Sequence, residues 1–95
     1  MEPSSTMLER ELTVSNRLGL HARATAKLVQ LLSGFRANAT LVAKGREVNA
    51  KSIMGVMLLA AGQGTPVTVR VDGEDEAAAL DAVAALFERR FDEDS

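Results

Sequence analysis

The sequence predicts an α+β fold, a two-layer open-faced β-sandwich with its elements in the order βαββαβα. Four short segments alternate apolar and polar residues, as strands with one wet face do. Three others space apolar residues three and four apart, as helices with one buried stripe do. Glycines or capping residues mark most of the junctions between them. Four half-wet strands need one face covered, and three helices laid on that face cover it.

Met1 to Thr6 is polar and contains a proline, so it is expected to be a disordered extension before a folded unit spanning 7–91. Leu8 to Val14 sets Leu8, Leu12 and Val14 against Glu9, Glu11 and Thr13, with Arg10 interrupting the apolar face. Ser15 to Leu20 reads as loop. Ala22 to Ser33 carries Thr25, Leu28, Val29 and Leu32 at helical spacing, and Gly34 is its stop. Phe35 then turns back toward the core. Ala37 to Ala43 points Ala39, Leu41 and Ala43 one way, and Lys44-Gly45 turns it into a hairpin with Arg46 to Asn49. Ile53 to Leu59 is a short helix with Ser52 as its N-cap, ended by Gly62 and Gly64. Pro66 to Asp72 alternates Val67, Val69 and Val71 with Thr68 and Arg70, and its proline comes first, where a missing donor is tolerated. A turn over Asp72 to Asp75 leads to a last helix. Its stripe is Leu80, Val83, Ala84, Phe87 and Phe91, with acidic residues in its first turn and Arg89 and Arg90 in its last. Asp92 to Ser95 is an acidic tail expected to fray.

Composition removes several classes of function. The net charge of -2 and only three aromatic residues, all Phe, argue against a nucleic-acid module built on basic patches and base stacking. The absence of Cys removes disulfides and thiolate nucleophiles and fits a reducing cytoplasm; with a single His it also makes a structural zinc site unexpected. No apolar run reaches the length of a membrane span, and no secretory leader pattern is visible. The expectation is a cytoplasmic monomer with no metal, no cofactor, no nucleic acid and no membrane insertion.

That single histidine, His21, lies between the loop ending in Gly19-Leu20 and the first helix, at or beside the helix N-cap. Free backbone amides and the positive end of the helix dipole favour an anion there. Arg23 adds a fixed charge and a fork of donors at the same end. A neutral imidazole nitrogen is a good nucleophile, and a phosphoryl group attached to it meets the amides of Ala22, Arg23 and Ala24. The pattern points to a phosphorylatable histidine. By position alone, a lone histidine is more often a residue without chemistry. No acid–base group that could activate water is expected beside it, so the chain reads as a carrier and not as an enzyme. A second stretch, Asn49 to Met57, makes a short helix apolar nearly all round, more than one core-facing stripe can use. Ile53, Met54 and Met57 beside Lys51 are left for a docking patch. Ser52 is explained by capping alone. Lys27 and Lys51 read equally well as solvated lysines or as steering charges for acidic partners.

Gly-Leu-His-Ala-Arg at 19 to 23 and Asn-Ala-Lys-Ser-Ile-Met-Gly-Val-Met at 49 to 57 resemble HPr, the histidine phosphocarrier family of the bacterial phosphotransferase system. The resemblance runs from Met7 to about Arg90 and includes Gln63-Gly64-Thr65 and Gly73-Glu74-Asp75-Glu76. It implies an antiparallel sheet of order 1-4-2-3. It also implies that His21 takes a phosphoryl group on Nδ1 from enzyme I, charged by phosphoenolpyruvate, and passes it to an enzyme IIA domain. By the same resemblance Arg23 is the active-site arginine, and Ser52 is the regulatory serine phosphorylated by HPr kinase/phosphorylase in a host that has one. Leu20, Ile53, Met54 and Met57 fall at partner-binding positions. Two departures stand out. Ala24 occupies a place usually held by Pro, and restores an amide N–H that a first-turn Pro would lack. Leu18 stands where sugar-uptake carriers often have a polar residue, which with the acidic last helix leans toward the nitrogen-related branch. The alternative reading is a regulatory protein-binding module that uses the Ile53 to Met57 patch without phosphotransfer.

Overall fold

A computed structural model describes residues 7–93. It contains β1 (Leu8–Thr13), α1 (Ala22–Ser33), β2 (Asn38–Ala43), β3 (Arg46–Asn49), α2 (Ile53–Leu58), β4 (Pro66–Asp72) and α3 (Glu76–Glu88), followed by a short turn at Arg90–Asp92. The expected element string holds. The expected extension over Met1 to Thr6 lies outside the described residues.

The sheet runs β1-β4-β2-β3, antiparallel throughout. Its register aligns the alternation across strands: Leu8 faces Val71, which faces Ala39, and Arg10 faces Val69, which faces Leu41. The face with Val67, Val69, Val71, Ala39, Leu41 and Ala43 is buried, and onto it close Leu28 and Leu32 of α1, Val56 of α2, and Ala79, Val83, Leu86 and Phe87 of α3. Arg10 shares this side but stays exposed, because β1 is an edge strand. The other face is open and polar. Arg70 there reaches Glu9 on β1 at 3.1 Å and Glu47 on β3 at 3.6 Å, tying both edges to the centre.

Two connections fix the helix starts against the sheet. Gly19 has φ +69, and a Cβ on it would lie 2.6 Å from the Ala61 carbonyl oxygen and 2.7 Å from the Gly62 Cα, so only glycine lets the loop before α1 lie against the segment after α2. The Leu20 N–H then donates to the Ala61 carbonyl at 2.9 Å. At the far end of the sheet, Asp75 accepts from the backbone N–H groups of Arg36 and Ala37 at 2.9 and 2.8 Å, led by the Arg36 contact, which holds its carboxyl below the ordinary aspartate value. The acidic turn over Asp72 to Glu76 thus works as a brace between β2 and α3.

The last helix departs from expectation. The stripe predicts that α3 runs through Phe91, but it stops at Glu88, and Arg90, Phe91 and Asp92 take left-handed backbone angles, φ 56, 56 and 63. Phe91 is fully buried all the same, its ring centroid 4.9 Å from that of Phe87. The core takes the same side chain by a reversed turn. Left-handed backbone costs roughly 1–2 kcal/mol per residue for non-glycine residues. Fully burying a Phe contributes about 1.5–3 kcal/mol. Lys27 adds a bond from Nζ to the Phe91 carbonyl at 2.9 Å. Asp92 contacts Arg89 and Lys27, and Glu93 contacts Asn16 and His21; Asp94 and Ser95 lie outside the described residues.

Candidate functional site

His21 is the N-cap of α1. Its backbone is extended (φ -76, ψ -179), its carbonyl accepts from the Thr25 N–H at 2.9 Å, and its Nδ1 accepts from the Arg23 N–H at 3.3 Å. An imidazole nitrogen thus takes the place that a Ser or Asp oxygen fills at most helix starts. The first turn holds no acidic residue. The Thr25 hydroxyl donates to the Leu20 carbonyl at 3.1 Å, and Asn16 Nδ2 donates to the Gly19 carbonyl at 2.8 Å, so the loop carrying the ring is fixed on both sides.

The opposite edge of the ring meets the end of the chain. Nε2 lies 2.5 Å from Glu93 Oε2, and Asn16 Nδ2 donates to Glu93 Oε1 at 3.0 Å. The Asn16 bond chiefly, with the His21 bond, holds the Glu93 carboxyl below its ordinary value against the opposing effect of burial. A carboxylate next to the ring was not expected from the sequence. Both its oxygens are occupied, one by the ring and one by Asn16.

His21, Ala22, Arg23 and Lys27 line one open cleft with Leu18, Asp92 and Glu93. Arg23 is exposed, and Lys27 donates to the Phe91 carbonyl while lying 3.5 Å from Asp92 Oδ2. Lys27 is therefore anchored at the cleft's wall and is not simply solvated. Ala24 is buried, with its backbone in the first turn. Among the described residues no group of three or more His, Cys, Asp or Glu side chains could hold a metal ion, and no helix is long and apolar enough to cross a membrane.

Ser52 caps α2 by accepting from the Gly55 N–H at 3.1 Å. Ile53, Met54 and Met57 are exposed, Met54 to 76%, and Leu58 joins them. Lys51 Nζ donates to the Phe35 carbonyl at 2.7 Å. Leu20 needs correction as a partner-binding residue. It is buried to 5% exposure, because its apolar side chain follows the loop inward into the core. Leu18, two residues earlier, is the exposed one at 68%. Asn16 and Glu93 are the site residues that sequence reasoning missed. An Asn in the loop before the helix was a visible signal; Glu93 gave none.

A family profile described as the phosphorylation site of the HPr component of the phosphotransferase system matches residues 8–89. The chain is 71% identical over 89 residues to a phosphocarrier protein HPr of Xylella fastidiosa (strain Temecula1), covering 94% of this chain and all of that one. It is 46% identical over 90 residues to a phosphocarrier protein NPr of Shewanella violacea, covering 95% and 99%. The stronger likeness to a protein named HPr runs against the leaning toward the nitrogen-related branch, which rested on Leu18 and the acidic last helix. The fold matches a crystal structure of HPr from Thermoanaerobacter tengcongensis with a TM-score of 0.89 at 39% identity, covering 93% of this chain and 99% of that one. A helix capped by imidazole on a 1-4-2-3 sheet, matched by profile, sequence and structure over nearly its whole length, belongs to the HPr family, the non-catalytic phosphocarriers of the phosphotransferase system.

Proposed function

We propose that His21 accepts a phosphoryl group on Nδ1 from phosphoenolpyruvate-charged enzyme I and passes it to an enzyme IIA protein, with phosphorylation of Ser52 acting as a gate. The observation that carries this reading is the Nδ1 cap. The nitrogen that accepts from the Arg23 N–H at 3.3 Å carries a lone pair and sits at the start of a 12-residue helix. When phosphorus arrives there, that lone pair forms the N–P bond and the donor's bond to phosphorus breaks. The Arg23 N–H is then freed to turn to a phosphoryl oxygen, beside the amides of Ala22 and Ala24 and the Arg23 guanidinium. Transfer of this kind needs positioning and charge more than covalent help. The exposed residues Ile53, Met54, Met57 and Leu58, with Leu18 at the cleft, offer the apolar surface against which a partner can bring its own reacting group.

At Ser52 a phosphate adds about -1.5 to -2 charges at a helix start, which α2 can tolerate, but within the apolar patch, where a partner must desolvate it. The regulatory-module reading needs only the patch and makes His21 dispensable. Incubation with enzyme I and phosphoenolpyruvate separates the two. The carrier reading expects an acid-labile gain of one phosphoryl mass that His21→Ala abolishes. No gain, or a gain that survives His21→Ala, overturns it.

A further inference from the structure

We infer that Glu93 is a positioning residue for phosphotransfer: its carboxylate holds His21 in the Nε2–H tautomer and faces the ring charge that phosphorylation creates. The inference rests on the carrier reading of His21 and adds a residue to it.

The two contacts of the ring assign its proton. The Arg23 N–H can only donate, so Nδ1 must be the nitrogen with the free lone pair. An ionised Glu93 can only accept, so Nε2, at 2.5 Å, must carry the hydrogen. The two contacts favour the same tautomer, the Arg23 bond weakly at 3.3 Å and the Glu93 bond strongly at 2.5 Å. Neutral imidazole otherwise exchanges its proton between nitrogens, and a proton on Nδ1 blocks attack there. The carboxylate is itself fixed: Asn16 donates to its other oxygen at 3.0 Å, Asn16 is fully buried, and its Nδ2 also binds the Gly19 carbonyl. Glu93 is only 14% exposed, so its orientation is not left to solvent. The left-handed turn at Arg90–Asp92, with Lys27 bonded to the Phe91 carbonyl, delivers it there.

Charge balances at each stage of the transfer. The Nδ1 lone pair forms the bond to phosphorus, and the electron pair of the broken bond leaves with the donor's group. Nε2 keeps its hydrogen, so the phosphorylated ring carries a positive charge shared over both nitrogens. Glu93 lies opposite that charge, on the side of the ring away from the phosphoryl group. On delivery the N–P electron pair returns to Nδ1 and the ring is neutral again, with no proton gained or lost. The arrangement resembles the carboxylate that orients the histidine of a hydrolase triad. The other charged groups of the cleft are Arg23 and Lys27, which favour the phosphoryl group, and Asp92, which is engaged by Arg89 at 2.9 Å and Lys27 at 3.5 Å.

Glu93→Ala and Glu93→Gln in the full chain test this. Long-range 1H–15N NMR of the imidazole in mildly alkaline solution reads the tautomer without any transfer partner. The wild type should be overwhelmingly Nε2–H. Glu93→Ala should show a mixture with Nδ1–H. Glu93→Gln, whose amide oxygen can still accept, should restore Nε2–H. Transfer from enzyme I should slow about tenfold in Glu93→Ala at saturating carrier, with KM little changed, and less in Glu93→Gln. Wild-type tautomer and turnover in Glu93→Ala overturn the inference, as does a loss confined to KM. If the wild type itself takes no phosphoryl group on His21, the carrier reading fails; the NMR result stands apart from that outcome.

Discussion

The starts of α1 and α2 are built alike and held differently. Each is capped by a side-chain atom accepting from a backbone N–H in the first turn, Nδ1 of His21 at 3.3 Å and Oγ of Ser52 at 3.1 Å. The difference lies behind the capping atom. His21 is gripped from its far side by Glu93, and the loop before it is bonded through Asn16, Gly19 and Thr25. The Ser52 hydroxyl accepts the Gly55 N–H, and its six-residue helix carries exposed Ile and Met residues. On the proposed reading the first exchanges a phosphoryl group repeatedly, and the second receives a charge that changes what docks there.

Removing Arg23 should weaken the first start most. Arg23→Ala is expected to lower the rate of phosphoryl uptake about ten- to hundredfold, with Arg23→Lys recovering part of it, as read by quench-flow with enzyme I. Stability should hardly move, since the side chain is exposed. Ser52→Asp should next slow uptake roughly tenfold through the docking face while the melting temperature stays within about 5 °C, because Asp caps a helix as well as Ser does. Unimpaired uptake in Ser52→Asp counts against the gate. Ser52→Ala turns the comparison round. It should cost about 1 kcal/mol of stability, measured by urea unfolding, and leave uptake intact.

The smallest effect is one of pH. Glu93 sits below its ordinary value of 4.5, so its contribution to stability is present above that value and is lost as pH falls through the lower folded value. Asp75 and Asp92 behave likewise below 3.8. The melting-temperature difference between wild type and Glu93→Gln should therefore shrink as pH falls below about 4.5. A difference that grows over that acid range would contradict the assigned direction.

Most of the scaffold was legible because each element announces itself locally. Val67, Val69 and Val71 alternate, Lys44-Gly45 makes a tight turn with φ 54 and 73, and Ser52 and His21 stand where helices begin. The reacting half of the site was legible for the same reason, since Arg23 and Ala22 are neighbours of His21 in the chain. The holding half was not. Glu93 meets His21 across 72 positions, through three consecutive left-handed residues with no glycine among them. Phe87 and Phe91, four apart, read as one helical stripe. That pattern gives the burial of Phe91 correctly and the path of the backbone wrongly, because periodicity reports which side chains the core takes and not how the chain brings them there. Leu20 failed in the opposite way, a partner-binding position by resemblance whose side chain the loop turns inward.

The site of the phosphoryl group is the most direct test of the carrier mechanism. Charging 15N-labelled protein with enzyme I and phosphoenolpyruvate and recording 31P–15N couplings in the imidazole should give one phosphoryl group, on Nδ1 of His21, with the hydrogen retained on Nε2. Phosphorylation on Nε2, or on any residue other than His21, would contradict it.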